Sequence, residues 1–302
     1  MPLVDAKCTS CGAPLQVDSS IKELFCQFCG SKFIVEQAIN HYNVTNNISA
    51  AVVNVYGGMK QDFEIRGGVL ERYNGSATNV VVPDGVVAIG GGAFRNCKSL
   101  RSVVIPEGVT EIMDGGNVNW GAFYQCTNLT KVTLPNSMRR IGTYAFRESN
   151  GLANITLPNS VQEIASSAFA DCKGLTKIAF SNSLQEIGPN AFQNCPSLAS
   201  IIIPDSVIKI WYGAFNSCTS LSSVTISNPA TEIDQYAFSY CKSLVNVNCP
   251  PELERVFRDT PYGQRREQVK TQAEREKKGL CVYCGGERTM FGKCKRCGKK
   301  NP

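Results

Sequence analysis

A single histidine, His41, is present among the 302 residues of this chain. It lies in a polar segment outside the repeating pattern described below, so a Ser-His-Asp triad has no base to work with. Long apolar runs are missing too: none approaches the roughly 18 residues that span a bilayer. The opening MPLVDAKCTSCG has no basic stretch followed by an apolar one, and a secretion signal is not expected. No phosphate-binding loop is present either, since the glycine-rich IGGGAF at 89–94 lacks the Lys-Ser/Thr that such a loop needs. Net charge is nearly absent from residues 1–251, which hold 17 Lys/Arg against 18 Asp/Glu. The surplus sits in the tail, with 14 Lys/Arg against 7 Asp/Glu from Glu252 onward.

Cysteine, by contrast, is abundant. There are 15, and without a secretion signal they argue against a disulfide scaffold, because the cytosol keeps thiols reduced. Eight form four Cys-x-x-Cys pairs near the ends, six recur through the middle, and Cys249 is left over. The hydrophobic fraction of 43% and charged fraction of 19% are those of a soluble globular protein.

The middle of the chain repeats. An Ala-Phe pair recurs at Phe94, Phe123, Phe146, Phe169, Phe192, Phe215 and Phe238, with one spacing of 29 residues and five of 23. Three residues after each Phe stands Cys97, Cys126, Ser149, Cys172, Cys195, Cys218 or Cys241, and three further on a Leu. From that Leu the pattern Leu-x-x-Val/Ile-x-Ile/Leu-Pro alternates apolar and polar residues, as in LTKVTLP, which predicts a short strand. Pro106, Pro135, Pro158 and Pro204 end that strand, since proline has no N–H for another ladder bond. A Val-x-x-Ile step then leads to the next Ala-Phe. One unit cannot bury its own apolar side chains: each is worth about 1.5–3 kcal/mol, while each ordered residue costs about 1–2 kcal/mol. Stacking closes the gap, so the expected fold is a mainly β repeat solenoid. The cysteine column is expected to be reduced and buried, with Cys acting as a small hydrophobe. Ser149 in the same column suggests that small size is what the position requires.

This skeleton of Ile-Pro, Val-x-x-Ile, Ala-Phe, Cys and Leu resembles the BspA-like leucine-rich repeat family over seven repeats, about residues 79–256. FEIRGGVLERYNGSATNVVVP looks like that family's N-terminal cap. CPPELERV reads as a closing half-repeat, with Leu253 and Val256 at the Val-x-x-Ile positions. The resemblance implies a curved solenoid with a parallel sheet that binds other macromolecules and does not catalyse.

The four Cys-x-x-Cys pairs supply Cys8, Cys11, Cys26 and Cys29 at one end and Cys281, Cys284, Cys294 and Cys297 at the other. A two-residue gap lets both thiolates of a pair reach one ion from a tight turn, and the Gly after each pair can take positive φ. Two pairs complete a tetrahedral four-thiolate zinc site with no open position, so two structural zinc ions are expected. PLQV, ELFC and KFIV are the expected short strands of the first site. Both ends resemble bacterial zinc ribbons, and metal binding would supply most of the folding energy of modules this small.

The resulting order is an N-terminal zinc ribbon (1–35), a connector (36–62), the solenoid (63–257, with its cap at 63–78), a charged helical linker (258–279) and a C-terminal zinc ribbon (280–302). The outward strand positions hold no carboxylate, His or Cys. They form a small-residue, mildly basic face with Lys131 and Lys177, suited to docking a partner. EIMDGGNVNWGAF, residues 111–123, carries six inserted residues between Ile112 and Ala122. Asp114, Gly115, Gly116 and Asn117 are turn formers, and one carboxylate is too few for a calcium loop. Trp120 and the residues of equivalent turns, Tyr144, Trp211, Tyr212 and Tyr236, are either contact anchors or packing on the repeat surface.

The function expected from these residues is a non-enzymatic, cytoplasmic bacterial scaffold. It would bind a protein partner through the solenoid and take no small-molecule substrate. Two alternatives stand beside it. The basic cluster Lys293, Lys295, Arg296, Lys299 and Lys300 could associate with nucleic acid, or the chain could be a cell-surface adhesin.

Overall fold

The computed structural model describes residues 62–115, 120–287, 294–297, 299 and 300, and the backbone of four strands nearer the N-terminus. Those strands form two antiparallel hairpins. β1 (Leu3–Lys7) pairs with β2 (Pro14–Asp18), and β3 (Glu23–Phe25) pairs with β4 (Lys32–Ile34). The strands expected at PLQV, ELFC and KFIV are present, and β1 is an addition to them. In sequence, Cys8 and Cys11 fall between β1 and β2, and Cys26 and Cys29 fall between β3 and β4. All four cysteines, and the connector before residue 62, lie outside the described residues.

The solenoid starts with a hairpin, β5 (Phe63–Arg66) and β6 (Val69–Tyr73). Each later turn except the last contributes two strands, not one. The first is the alternating segment after the Leu: Asn79–Val81, Ser102–Val104, Lys131–Thr133, Asn154–Thr156, Lys177–Ala179, Ser200–Ile203, Ser223–Ile226 and Asn246–Asn248. Its members pair in parallel with a one-repeat offset, as in Ile201 opposite Val224, in three sheets of three, two and three strands. The second strand is two residues long in every turn, from Ala88–Ile89 through Glu163–Ile164 to Glu232–Ile233. These short strands join the hairpin in one nine-stranded sheet. Sequence alternation misses this second sheet because two residues are too few to show a period. The Ile points into the core while its outward neighbour is Glu, Arg or Lys in six of the seven turns.

The third side of each turn has no strand, yet backbone bonds hold it just as regularly. The amide of Phe123 donates to the Ala145 carbonyl of the next turn at 2.7 Å, and the other Phe residues up to Phe215 repeat that bond. The residue before each column Cys or Ser adopts left-handed backbone: Asn96, Gln125, Glu148, Asp171, Asn194, Ser217 and Tyr240 have φ between 56° and 61°. From Asn96 to Ser217 that conformation aims the amide at a carbonyl of the next turn, as for Asp171 to Gln193 at 2.8 Å. Asn and Asp tolerate it well, and the other side chains adopt it at some cost.

Inside, the Phe rings form a continuous stack. From Phe94 to Phe238 neighbouring centroids are 4.9–5.2 Å apart, with ring planes within 9° of parallel. Tyr73 and Phe63 extend it at one end, Phe257 and Tyr262 at the other, all tilted or edge-on. Changing ring orientation at both ends lets the stack stop, because no further flat face is left uncovered.

Beside the stack runs the cysteine column, which is more than small apolar filling. Five of its six thiols donate to the Phe carbonyl one turn back: Cys126 to Phe94 and Cys172 to Phe146 at 3.0 Å, Cys195 to Phe169 at 3.1 Å, Cys218 to Phe192 and Cys241 to Phe215 at 3.2 Å, while Cys97 in the first turn is half-buried. Ser149 makes the same bond to Phe123 at 2.8 Å. Ser149 and these five cysteines therefore share a donor to that carbonyl as well as small size, which the reading from size alone does not include. All these cysteines are free thiols. Burial pushes the Cys172 thiol up to about 12 and raises Cys126, Cys195 and Cys241 as well.

The last turn closes on a 3-10 helix, Pro251–Phe257, in place of a half-repeat strand. Pro250 and Pro251 cannot donate to a ladder. Leu253 and Val256 are nonetheless buried where an apolar pair was expected, and Phe257 joins the ring stack. Thr260 then caps helix α1 (Pro261–Lys277), accepting the Gly263 amide at 3.3 Å, with Pro261 at the first helical position. The helix buries none of its residues.

Candidate metal centre and aromatic edge

Helix α1 ends in a Schellman motif that delivers the chain to the second pair of cysteine turns. The Leu280 amide donates to the Arg275 carbonyl at 2.8 Å and the Gly279 amide to Glu276 at 2.9 Å, with Gly279 at φ 67°. Leu280 leads directly into Cys281. The first turn closes by the Gly285 amide on the Cys281 carbonyl at 2.8 Å. The Cys281 amide on Gly286 at 2.9 Å closes the same turn further, and the Lys295 amide on Glu287, also at 2.9 Å, ties the second turn to it. Beside them, the Cys294 amide bonds Lys299 at 2.9 Å.

These bonds bring four sulfurs together. Cys281, Cys284, Cys294 and Cys297 have their Sγ atoms all within 4.8 Å of one another, with Cys281–Cys297 at 3.6 Å and Cys284–Cys294 at 3.3 Å. A tetrahedral zinc with bonds of about 2.3 Å would set sulfurs about 3.8 Å apart, so the cage fits such an ion with small adjustments. The Cys297 amide at 3.4 Å, followed by the Arg296 amide at 3.3 Å, points at the Cys294 sulfur. Led by the first of these bonds, the surroundings hold the Cys294 thiol down to about 6. Cys297 behaves oppositely. The Lys299 amide pulls it down, but burial and the three neighbouring thiols outweigh that and push it up to about 12. Four thiols this close cannot all ionise without a cation between them, which is the condition a divalent metal removes.

Arg275 is a part of this centre that spacing did not suggest. Its Nη1 donates to the carbonyls of Val282 at 3.1 Å and Tyr283 at 3.2 Å, clamping the first cysteine turn to the last turn of α1. Around the tail, Lys295 pairs with Glu287 at 2.9 Å and Lys299 lies 4.9 Å over the Tyr283 ring, so two of the basic residues already have partners.

The second candidate group follows the short-strand sheet. The insertion leaves the Glu111–Ile112 strand through Asp114, whose carboxylate accepts Arg140 at 2.9 and 3.0 Å and the Thr143 amide at 2.6 Å. Burial pushes the Asp114 carboxyl up, but the Thr143 amide and Arg140 overcome it and hold the group below its usual range. A Cβ on Gly115 would collide with the Trp120 backbone, so glycine is required where the two ends of the excursion meet. Residues 116–119 lie outside the described residues. Arg95 covers the Trp120 ring at 3.3 Å, Arg147 lies 5.6 Å over Tyr144, and Lys209 lies 4.0 Å over Trp211, whose Nε1 donates to Glu186 at 3.1 Å. Tyr212 and Tyr236 pair with each other, edge to face at 5.7 Å. The structure thus sets the five aromatics in one series of turns. Lys131 and Lys177 sit apart from them, exposed on two different sheets of the longer strands. Tyr240, 69% exposed, stands two residues after Phe238 on the strandless side of the last turn. Spacing does not mark it, because its equivalents in the other turns are Asn, Gln, Glu, Asp and Ser.

No curated protein is similar enough to match the chain. Among solved structures, it resembles a leucine rich repeat protein of T. pallidum, at 27% identity over 64% of this chain and 81% of that one, with a TM-score of 0.42. A leucine-rich repeat protein of Bacteroides ovatus is 19% identical over 83% of this chain and 76% of that one, with a TM-score of 0.40. A leucine rich cell surface protein of Faecalibacterium prausnitzii is 24% identical over 56% and 65%, with a TM-score of 0.31. The model of the BspA type leucine rich repeat region matches residues 72–116 and 116–245 in six copies. The chain belongs to the BspA type leucine rich repeat family.

Proposed function

We propose that this protein is a non-enzymatic scaffold that binds a protein partner through its solenoid and carries structural zinc modules at its ends. The observation that carries the proposal is the series of aromatics along one edge of the repeat rod. Trp211, Tyr212 and Tyr236 keep 37–52% of their surface open to solvent, and such side chains dominate contact energies at protein interfaces. The outward strand positions offer hydroxyls, amides and lysines, with no tuned acid or base beside a nucleophile. Zinc is the proposed occupant of the Cys281, Cys284, Cys294 and Cys297 cage because four thiolates in a closed tetrahedron suit it. Cys8, Cys11, Cys26 and Cys29 are proposed for a second zinc on spacing alone. A reducing, cytoplasmic setting is proposed with it, since the ligand thiols and the free column cysteines must stay reduced.

Affinity capture from native lysate tests the scaffold reading. Capture of a protein by the full chain, competed by excess unlabelled chain, is the expected result. Metal analysis of the reduced protein tests the zinc reading: about two ions per chain are expected, and far fewer than one would remove it.

A further inference from the structure

We infer that the Tyr212–Tyr236 pair, with Glu232 and Asp234 beside it, is the docking point for an arginine- or lysine-bearing segment of the partner protein. The inference rests on the protein-binding reading above and specifies its surface and the chemistry of its partner.

The other aromatics of this edge are satisfied by cations of the chain itself. Trp120 carries Arg95, Tyr144 carries Arg147, and Trp211 carries Lys209, each cation over the ring face. Among the described residues no cation lies over Tyr212 or Tyr236. They are 52% and 47% exposed, with rings inclined at 64°. Lys209 shows what this neighbourhood accepts. Its ammonium stands 4.0 Å over an aromatic ring and 3.3 Å from the Glu232 carboxylate. The adjoining pair offers the same two ingredients. Asp234 is fixed two residues before Tyr236 by accepting its amide at 2.8 Å, and Glu232 is largely open to solvent.

Charge supports the same occupant. Residues 179–250 hold only six charged side chains in 72, against 21 in the 117 residues of 62–178. Four of the six are acidic (Glu186, Asp205, Glu232 and Asp234), and of the two lysines Lys209 is already paired with Glu232. A charge-poor surface with exposed aromatics and a residual acidic balance is the complement of a cationic segment with few acids of its own. Ile208, 53% exposed in the same turn as Tyr212, gives the aliphatic stem of such a side chain an apolar surface to lie on.

The test uses the full, metal-loaded chain and two fluorescein-labelled decapeptides, one alternating Arg and Ser and one alternating Glu and Ser, read by fluorescence anisotropy near physiological salt. The Arg-Ser peptide is expected to bind and the Glu-Ser peptide not to. Tyr212→Ala with Tyr236→Ala should weaken the Arg-Ser peptide at least about tenfold, the loss of two cation–aromatic contacts. Tyr212→Phe with Tyr236→Phe should retain binding, because the rings remain. Unchanged binding by the double alanine variant overturns the inference, as does equal binding of both peptides. Should the alanine variant melt early, Tyr212→Lys serves instead: a resident cation would cover Tyr236 and block the peptide, and undiminished binding would overturn the inference. In lysate, identical competed capture by wild type and the double alanine variant sinks this surface and leaves the scaffold reading intact. Capture by neither sinks the scaffold reading itself. Self-association of the chain that the alanine variant abolishes would assign the pair to the basic tail of a second copy, and so overturn the assignment to a partner protein.

Discussion

Replacing Cys195 separates two accounts of the central column. If the position needs only a small apolar side chain, alanine should be accepted more readily than serine. A buried hydroxyl without a use costs about 1–3 kcal/mol. If it needs a donor to the carbonyl one turn back, the order reverses. Cys195 is fully buried and its sulfur lies 3.1 Å from the Phe169 oxygen. Alanine deletes a buried atom at least as large as a methylene, worth about 0.8 kcal/mol before any cavity cost. It also removes one hydrogen bond, worth about 0.5–1.5 kcal/mol. The expected loss is about 1.5–2.5 kcal/mol for Cys195→Ala. Cys195→Ser keeps a donor in a place where Ser149 already reaches its carbonyl at 2.8 Å, and should cost about 1 kcal/mol or less.

The assay is denaturant unfolding of the reduced protein, followed by circular dichroism with zinc present. Position 149 supplies the reciprocal pair: Ser149→Cys should be close to neutral, and Ser149→Ala should cost about 1 kcal/mol. Alanine equal to or better than serine at both positions would refute the donor account and return the column to size alone.

Three further outcomes are expected. Burial raises the thiols of Cys97 and Cys249 to about 11 and Cys172 to about 12, above the ordinary thiol value near 8.5. The unfolded chain therefore releases protons first, and thermal stability should fall from about pH 9 toward pH 12; a melting temperature flat across that window would contradict it. Removing metal with a chelator should fray α1 from its C-terminal end, because its Schellman turn and the Arg275 clamp rest on the Cys281–Gly285 turn. Hydrogen exchange should rise at 270–278 while the solenoid stays protected, and Arg275→Ala should raise it with metal still bound. Tyr240→Asn should stabilise the last turn by about 0.5–1 kcal/mol, since asparagine accepts φ near 58° more readily than an exposed tyrosine; a lower melting temperature would argue against strain there.

What the sequence showed and what it hid divide along physical lines. The 23-residue period, the Phe and Cys columns and the four cysteines of the tail are properties of residue type and spacing, and they were readable. The second sheet was not, because Glu163–Ile164 and its equivalents are too short to alternate. The left-handed column was hidden by its residues: Gln125, Glu148 and Tyr240 are not glycine or asparagine, and for Gln125 and Glu148 it is the Arg147 and Ala170 carbonyls of the next turn, each 3.0 Å from the amide, that explain the bend. Arg275 stands in a run of helix-forming charges and nothing in that run marks it. Its role depends on two carbonyls that the cysteine turn presents after the helix has ended.

The helix also explains why the two candidate sites do not merge. Seventeen residues at about 1.5 Å each make α1 about 25 Å long. At its start, the Tyr262 amide on the Leu244 carbonyl at 2.9 Å, Arg266 on Glu254 at 2.6 Å and the Thr260 cap fix it to the last turn of the solenoid. At its end, Gly279 and Arg275 fix it to the cysteine turns. With no buried residue between, the helix has no apolar face with which to fold back onto the rod. It is a solvated strut, and its stability depends on what holds each end. A metal at Cys281, Cys284, Cys294 and Cys297 would therefore do more than fold a small module. It would also hold the C-terminal end of α1, through the Leu280 turn and the Arg275 clamp, without touching any residue of the solenoid.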